Sequence, residues 1–280
     1  MNIRHLSRAA DMRRWLLPLL LLLMGLCACA RQPQPGTLAE QADAARVWER
    51  YLAVCDAANA PLAQKPYRLQ MSLRYGTEGD TRRVTALLWG NGDDSLRLDV
   101  AAGVGVTVAS ILEDGEQFMV YAPNDHRAYF HYGAQKPLVN VGVPVPFGVG
   151  DLAALLNGRF GAVFGTQRDG QPRSTLKGNI VYAVEGGHTP GSLELDAQGL
   201  PLLWRDADGS KGWTLTIAYD DNTPPLPRKL EITHAKGQRA IVLVKERNYP
   251  AVPFTEEQLR LTIPEGTPVL PLRQFRQGQR

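Results

Sequence analysis

Tyr67-Arg68-Leu69-Gln70-Met71-Ser72-Leu73-Arg74-Tyr75 decides the class of fold. Tyr67, Leu69, Met71, Leu73 and Tyr75 alternate with Arg68, Gln70, Ser72 and Arg74. This period of two gives a strand one apolar face and one polar face. Before it, residues 38–58 are dominated by helix formers, with Val47, Tyr51, Leu52 and Val54 among the apolar positions and a stop near Asn59-Ala60-Pro61. They predict an amphipathic helix. After it the alternation recurs in short segments. Gly76 to Asp80 turns and Arg82 to Trp89 returns. Asn91-Gly92 is a hairpin signal, lengthened by Asp93 and Asp94. Leu96, Leu98 and Val100 then alternate with Arg97 and Asp99. Beyond the Gly103-Val104-Gly105 turn come strands over 106–112, 117–122 and 128–132, separated by Gly115 and by Pro123-Asn124-Asp125. Hairpin after hairpin at this spacing predicts one antiparallel sheet, and the chain is mainly β with some α.

The middle of the chain breaks the pattern. Gly142-Val143-Pro144-Val145-Pro146-Phe147 is barred from a sheet interior, because two prolines remove ladder donors. Asp151-Leu152-Ala153-Ala154-Leu155-Leu156-Asn157-Gly158 follows, with an acidic N-cap candidate and a glycine stop. It predicts a short helix with Leu152, Leu155 and Leu156 on one side, either a plug over one end of the core or a lid. Strands resume near Val181 and Leu193. Segments 200–205 and 212–219 flank a turn at Asp206-Ala207-Asp208-Gly209, with Trp213, Leu215, Ile217 and Tyr219 on one face. Segments 230–234 and 240–247 form a hairpin about Lys236-Gly237. An extension from Phe254 ends in a polar tail.

The start of the chain carries an address. Leu16 to Cys29 is almost wholly apolar, yet shorter than the roughly 20 residues a spanning helix needs. It follows Arg4, Arg8, Arg13 and Arg14, opposed only by Asp11, and so reads as a secretory signal. Leu26-Cys27-Ala28-Cys29 resembles the lipobox of bacterial lipoproteins. That resemblance implies removal of residues 1–28, lipidation of Cys29 and a short tether over 29–37, ahead of a folded region over 38–280. Ala30, rather than Asp, then implies the outer membrane. An ordinary cleaved signal or an uncleaved anchor is the alternative.

The net charge of +3 belongs to this leader: its four arginines and one aspartate leave 27 basic and 27 acidic residues in the rest. A neutral exported domain offers no electrostatic case for nucleic acid. Cys55 is the one cysteine outside the leader and lipobox, and its place in a helical pattern favours a small buried residue over a reactive thiol.

Few residues suggest chemistry. His126 and His131 stand around strand ends with no Cys or His cluster in the sequence, and His188 and His234 are solitary, so no metal is expected. Gly191-Ser192 has no nucleophile-elbow context. Asp206-Ala207-Asp208-Gly209 meets its glycine too early for a calcium loop. Asp220-Asp221 reads as turn acids. No catalytic set emerges and no cofactor is implied. What remains is a sheet with one greasy face and little helix to cover it, so its interior is either filled by side chains or open to a lipid.

The order of motifs resembles the LolB-like family of outer-membrane lipoprotein receptors, with the LolA carriers more distant. The resemblance is carried by Ala86-Leu-Leu-Trp-Gly-Asn-Gly-Asp-Asp-Ser-Leu-Arg-Leu-Asp-Val100, by Ala102-Gly-Val-Gly105 and by residues 142–158. It continues through Gly212-Trp-Thr-Leu-Thr-Ile-Ala-Tyr219, Pro225-Leu-Pro-Arg-Lys-Leu-Glu-Ile232 and Gln238-Arg-Ala-Ile-Val-Leu243, so that it spans residues 67–250. It implies an unclosed half-barrel with a helical lid over a hydrophobic cavity for the acyl chains of lipoproteins, received from a periplasmic LolA-like carrier by a monomer. The strand phase then nominates Leu69, Met71, Leu73, Leu88, Leu96, Leu98, Val100, Phe118, Val120 and Trp213 for the cavity wall, and Leu152, Leu155 and Leu156 for the lid. Val104 falls at the family's membrane-facing loop. The carrier's lid-holding arginine has no counterpart in residues 90–94, and the extension from 254 exceeds the usual length. A non-transporting envelope scaffold, or a binder of another lipid, is the alternative.

Overall fold

The computed structural model describes residues 38–62, 65–92, 95–103, 105–133, 138, 143, 145–207 and 212–277. The signal, Cys29, the tether and Val104 lie outside the described residues. By compactness the chain divides into 1–39 and 40–280, and the sheet belongs to the second unit.

The alternating stretch becomes β1 (Pro66–Thr77), which pairs with β2 (Asp80–Asn91) from Pro66↔Asn91 to Thr77↔Asp80. The turn is tighter than its glycines suggest. Gly76 stays in the ladder opposite Thr81 at φ +146°, where a Cβ would stand 2.0 Å from the Asp80 carbonyl oxygen. Next come β3 (Leu96–Ala102), β4 (Val106–Glu113), β5 (Gln117–Ala122) and β6 (Arg127–Tyr132). After the helical insertion follow β7 (Gln167–Ser174), β8 (Ile180–Glu185), β9 (Gly191–Leu195), β10 (Pro201–Asp206), β11 (Trp213–Tyr219), β12 (Pro227–His234) and β13 (Gln238–Asn248). With β14 (Val269–Pro271) they make one unclosed curved sheet, ordered β14-β6-β5-β4-β3-β2-β1-β13-β12-β11-β10-β9-β8-β7. Neighbours are antiparallel throughout, except that β14 joins β6 in parallel.

Two strands were not legible beforehand. β7 is polar on both faces and carries Gly170 and Pro172, so it shows no apolar alternation. It forms one edge, where a register break between Asp169 and Arg173 and its charges blunt further pairing. β14 has only three residues, and its place at the opposite edge depends on the segment before it.

That segment is strapped to the outer face of the sheet. α4 (Glu256–Leu259) opens with a capping box from Thr255 and Gln258. The Trp89 indole donates to the Gln258 carbonyl, and the Asn91 amide exchanges two hydrogen bonds with the Phe254 backbone. Arg97, only 7 % exposed, donates to the carbonyls of Leu259 and Arg260 and to Asp99, while its guanidinium lies 5.2 Å from the Trp89 ring centre. Strand alternation explains the side: Arg97 and Trp89 pair across β3 and β2, opposite in facing to Leu88 and Leu98.

On the inner face, α1 (Leu38–Leu62) packs through Trp48 and Tyr51. The Tyr182 hydroxyl of β8 donates to the Ala44 carbonyl, and burial pushes that phenol up to about 12. Cys55 is fully buried beside Gly161, and desolvation raises its thiol to about 11, as befits a packing residue rather than a nucleophile. α2 (Val149–Leu156) is the inserted helix. Its N-cap is Gly148, not Asp151: Asp151 sits one turn inside and its carboxylate accepts from the Gly148 N–H at 3.0 Å. Gly158, at φ +77°, follows the end of the helix. The sequence did not announce α3 (Phe160–Phe164), which is too short to display a helical period. Among the described residues no helix is long and apolar enough to cross a membrane.

Replacing Arg97 with Met should free residues 254–277 to limited proteolysis and lower stability to urea by about 1–3 kcal/mol, the usual cost of losing buried charge-assisted hydrogen bonds. Undiminished protection of that segment would show that the strap holds by other contacts.

Candidate functional site

The concave face is divided in two levels along its strands. At the level of Leu69, Leu88, Leu96 and Phe118 it is filled. Leu69 faces Leu88 across β1 and β2, and all four side chains are buried in the main core. α2 sits over this level, and its Leu155 and Leu156 are wholly buried. Arg247 of β13 donates to the Leu156 carbonyl at the end of α2 and to the Pro227 carbonyl, and Tyr249 donates to Asn157. This part of the helix is a plug.

Nearer the other ends of the same strands the face is hollow. A cavity of about 190 Å³ is bounded by Met71, Leu73 and Tyr75 of β1, Ala86 of β2, Leu98 and Val100 of β3, and Val120 of β5. Val108, Ala109 and Ile111 of β4 complete that side, and Ile232 of β12 and Val242 of β13 close the next. The cover is Leu138, Val143, Val145 and Phe147 from the proline-broken segment, with Leu152 from the first turns of α2. Every one of these side chains is apolar or aromatic. An apolar cavity of about 150 Å³ holds a benzene-sized guest, and drug-sized pockets run to roughly 300 Å³ and more. The covered cavity therefore takes one short piece of hydrocarbon, and a longer guest has to displace the cover.

Of the nominated wall residues, Met71, Leu73, Leu98, Val100 and Val120 border the cavity, as does Leu152 of the nominated lid. Leu69, Leu88, Leu96 and Phe118 share their face but lie at the filled level. Trp213 is on β11, one strand beyond the lining strand β12, with its ring centre 4.5 Å from that of His234. Phase alone gave the face; the level along a strand depends on where the helices seat. Two lining residues reveal a further cause. Val100 pairs with Ala109 and Ala101 with Thr107, so Val108 is the extra residue of a bulge, and both Val108 and Ala109 reach the cavity. Simple alternation cannot nominate two neighbours.

A polar cluster joins the cover to the sheet beside the cavity. Glu113 stands two residues beyond Ile111 on β4 and is 7 % exposed. Its Oε1 accepts from the Gly150 N–H at 3.2 Å, while Oε2 is buried with no hydrogen-bond partner. Burial raises this carboxyl to about 7; the Gly150 N–H opposes the shift and the Asp151 charge adds to it. Asp151 in turn lies 2.7 Å from His188 Nδ1, on the loop between β8 and β9. The remaining acidic suspects are turn builders: Asp220 accepts from the backbone N–H groups of Asn222 and Leu226, and Asp206 from that of Trp213.

No protein-family model matches the chain, and no curated protein matches its sequence. Solved structures do match. One is a LolA superfamily protein from Nitrosomonas europaea, at a TM-score of 0.50 and 12% identity, covering 74% of this chain and 98% of that one. The two proteins share a fold. A domain named for outer-membrane lipoprotein sorting from Vibrio parahaemolyticus aligns at a TM-score of 0.52 and 14% identity, over 76% of this chain and 95% of its own. A DUF1329 family protein from Desulfovibrio piger gives 0.54 and 10%, over 77% and 98%. At these identities the likeness is one of fold.

Phe147 is 1 % exposed, lines the cavity and packs 5.6 Å, ring centre to ring centre, from Trp204. Phe147→Ala should enlarge the cavity and cost about 3–5 kcal/mol of stability in chemical denaturation, as other large truncations of buried aromatics do. A cost under about 1 kcal/mol would mean that the cover is not packed on the wall.

Proposed function

We propose that this protein is a lipid-anchored acceptor and carrier of acylated molecules, lipoproteins first among them, sheltering their hydrocarbon in the cavity under the proline-broken cover. The observation that carries this is the cavity itself: an apolar hollow on the concave face, bounded on its open side by Leu138, Val143, Val145, Phe147 and Leu152. The fold shared with a LolA superfamily protein and with a domain named for lipoprotein sorting supports the choice of ligand. The LolB-like order of motifs supports the receptor role, with a LolA-like periplasmic carrier as donor. Leu26-Cys27-Ala28-Cys29 supports anchoring through Cys29, and Ala30 supports the periplasmic face of the outer membrane.

The transfer is non-covalent and needs no catalytic residue. Each buried methylene is worth about 0.8 kcal/mol, so a long acyl chain fully sheltered would gain on the order of 10 kcal/mol. That rivals the membrane and would prevent release. A hollow too small for a whole chain, with a displaceable roof, gives the weaker hold that hand-over requires. The filled half of the concave face favours the second possibility, an envelope scaffold that transports nothing.

Uptake distinguishes the two. A fluorescent hydrophobic probe should bind the purified protein and be displaced by an acylated peptide but not by its unacylated form. Ala86→Phe, which puts a ring into the cavity, should weaken probe binding at least tenfold while the protein stays folded by circular dichroism. A wild-type protein that takes up no probe would favour the scaffold. For the anchor, Cys29→Ala should abolish labelling by palmitate in cells and release the protein from the membrane fraction; continued labelling would place the lipid on another residue.

A further inference from the structure

The Glu113 carboxyl sits where the cover meets the sheet, and the proposed transport role leaves it without a task. Its surroundings suit a neutral group. One oxygen meets the Gly150 N–H at the amino end of α2, and the other is enclosed without a partner. The charges facing it are Asp151 from α2, which repels a carboxylate, and His188 from the β8–β9 loop, which when protonated attracts one. The backbone N–H of Val149 also points to it. The approach is close: a Cβ on Gly150 would stand 2.7 Å from Glu113 Oε1, so a side chain at that position would push the carboxyl aside. Ile111 and Leu152, the apolar neighbours of this contact on β4 and α2, both line the cavity.

We propose that Glu113 makes closure of the cover proton-dependent: the amino end of α2 seats when this carboxyl is neutral, and ionisation drives it off the sheet and opens the cavity. This deepens the acyl-binding role and rests on it for its purpose, though not for its physics. A buried charge with an unpartnered oxygen costs far more than a buried neutral acid. Opening returns the group to water and to its ordinary value of 4.5, whereas in the closed form it stands at about 7. The closed form therefore holds the proton more tightly. Closure is fully favoured below the open-state value, weakens as pH rises towards the closed-state value, and changes no further above it. Complete solvation on opening shifts the opening equilibrium about fiftyfold between pH 5 and 7.5.

Hydrogen exchange of the full-length chain, corrected for intrinsic rates, reads opening at the amides of Gly148, Gly150 and Leu152. Their protection should fall by tens of fold from pH 5 to 7.5, while amides of β1 and β2 stay unchanged. Glu113→Gln, neutral at every pH, should remain protected throughout. Gly150→Ala, which displaces the carboxyl but keeps the helix, should lose the pH dependence. The wild-type Glu113 carboxyl, followed by carbon NMR, should titrate near 7; a value near 4.5 overturns the proposal without any variant. Wild-type protection that ignores pH, or a Gln variant as pH-sensitive as wild type, also overturns it. Probe uptake at both pH values separates this device from the transport role. Opening with no uptake keeps the device and discards the role, whereas equal uptake over an unmoving cover keeps the role and discards the device.

Discussion

The structure is governed by a mismatch of areas. A sheet of fourteen strands with an apolar inner face presents more greasy surface than one amphipathic helix and two short ones can cover. Where α1, α2 and α3 reach, the face is closed by Trp48, Tyr51, Phe160, Phe164 and Trp204, all buried in one cluster. Where they do not reach, Leu138, Val143, Val145 and Phe147 stand over the strands and a hollow is left. The hollow is thus the remainder of an incomplete cover, and its apolar lining follows from the same strand alternation that builds the core.

Glycine contacts let the helical cover come close enough to fill the first part. Gly165, at φ +86°, lies against the backbone of Glu185 and Gly187, so close that any side chain would collide. The Tyr51 hydroxyl donates to the Gly165 carbonyl from the α1 side, and both the amide and the hydroxyl of Thr189 donate to the Val163 carbonyl. Helices α1 and α3 and the β8–β9 loop are tied together by these bonds. The carbonyl end of α2 is tied by Arg247, and its amino end, with Val149 buried, meets Glu113 through the Gly150 N–H. One end of the insertion is a plug, and the other carries the contact with the buried Glu113 carboxyl.

Much of the sheet was legible. The positions of β1, β2, β5, β12 and β13 follow from alternation and turn residues alone, and the inner face of β1, β2 and β3 was correctly phased through Leu69, Leu88 and Leu98. The failures have physical causes. β7 lacks an apolar face because it is an edge. α3 is shorter than two helical turns. Asp151 imitates an N-cap because an acid in the first turn makes the reverse half of the same capping interaction. Val108 was passed over because a bulge breaks the period of two. Glu113 gave no signal, since an acid ending a strand is ordinary until a helix is laid over it.

The sequence by itself determined that this chain would be a mainly β protein with one apolar sheet face and an inserted helix, because alternation and turn residues act over a few neighbouring positions. Only the tertiary structure decided which level of that face is filled and which is hollow. It also decided that the C-terminal extension straps the outer face and completes an edge, and that a glutamate is buried against the amino end of a helix. Each of these depends on contacts between residues far apart in the chain, and no local period records them.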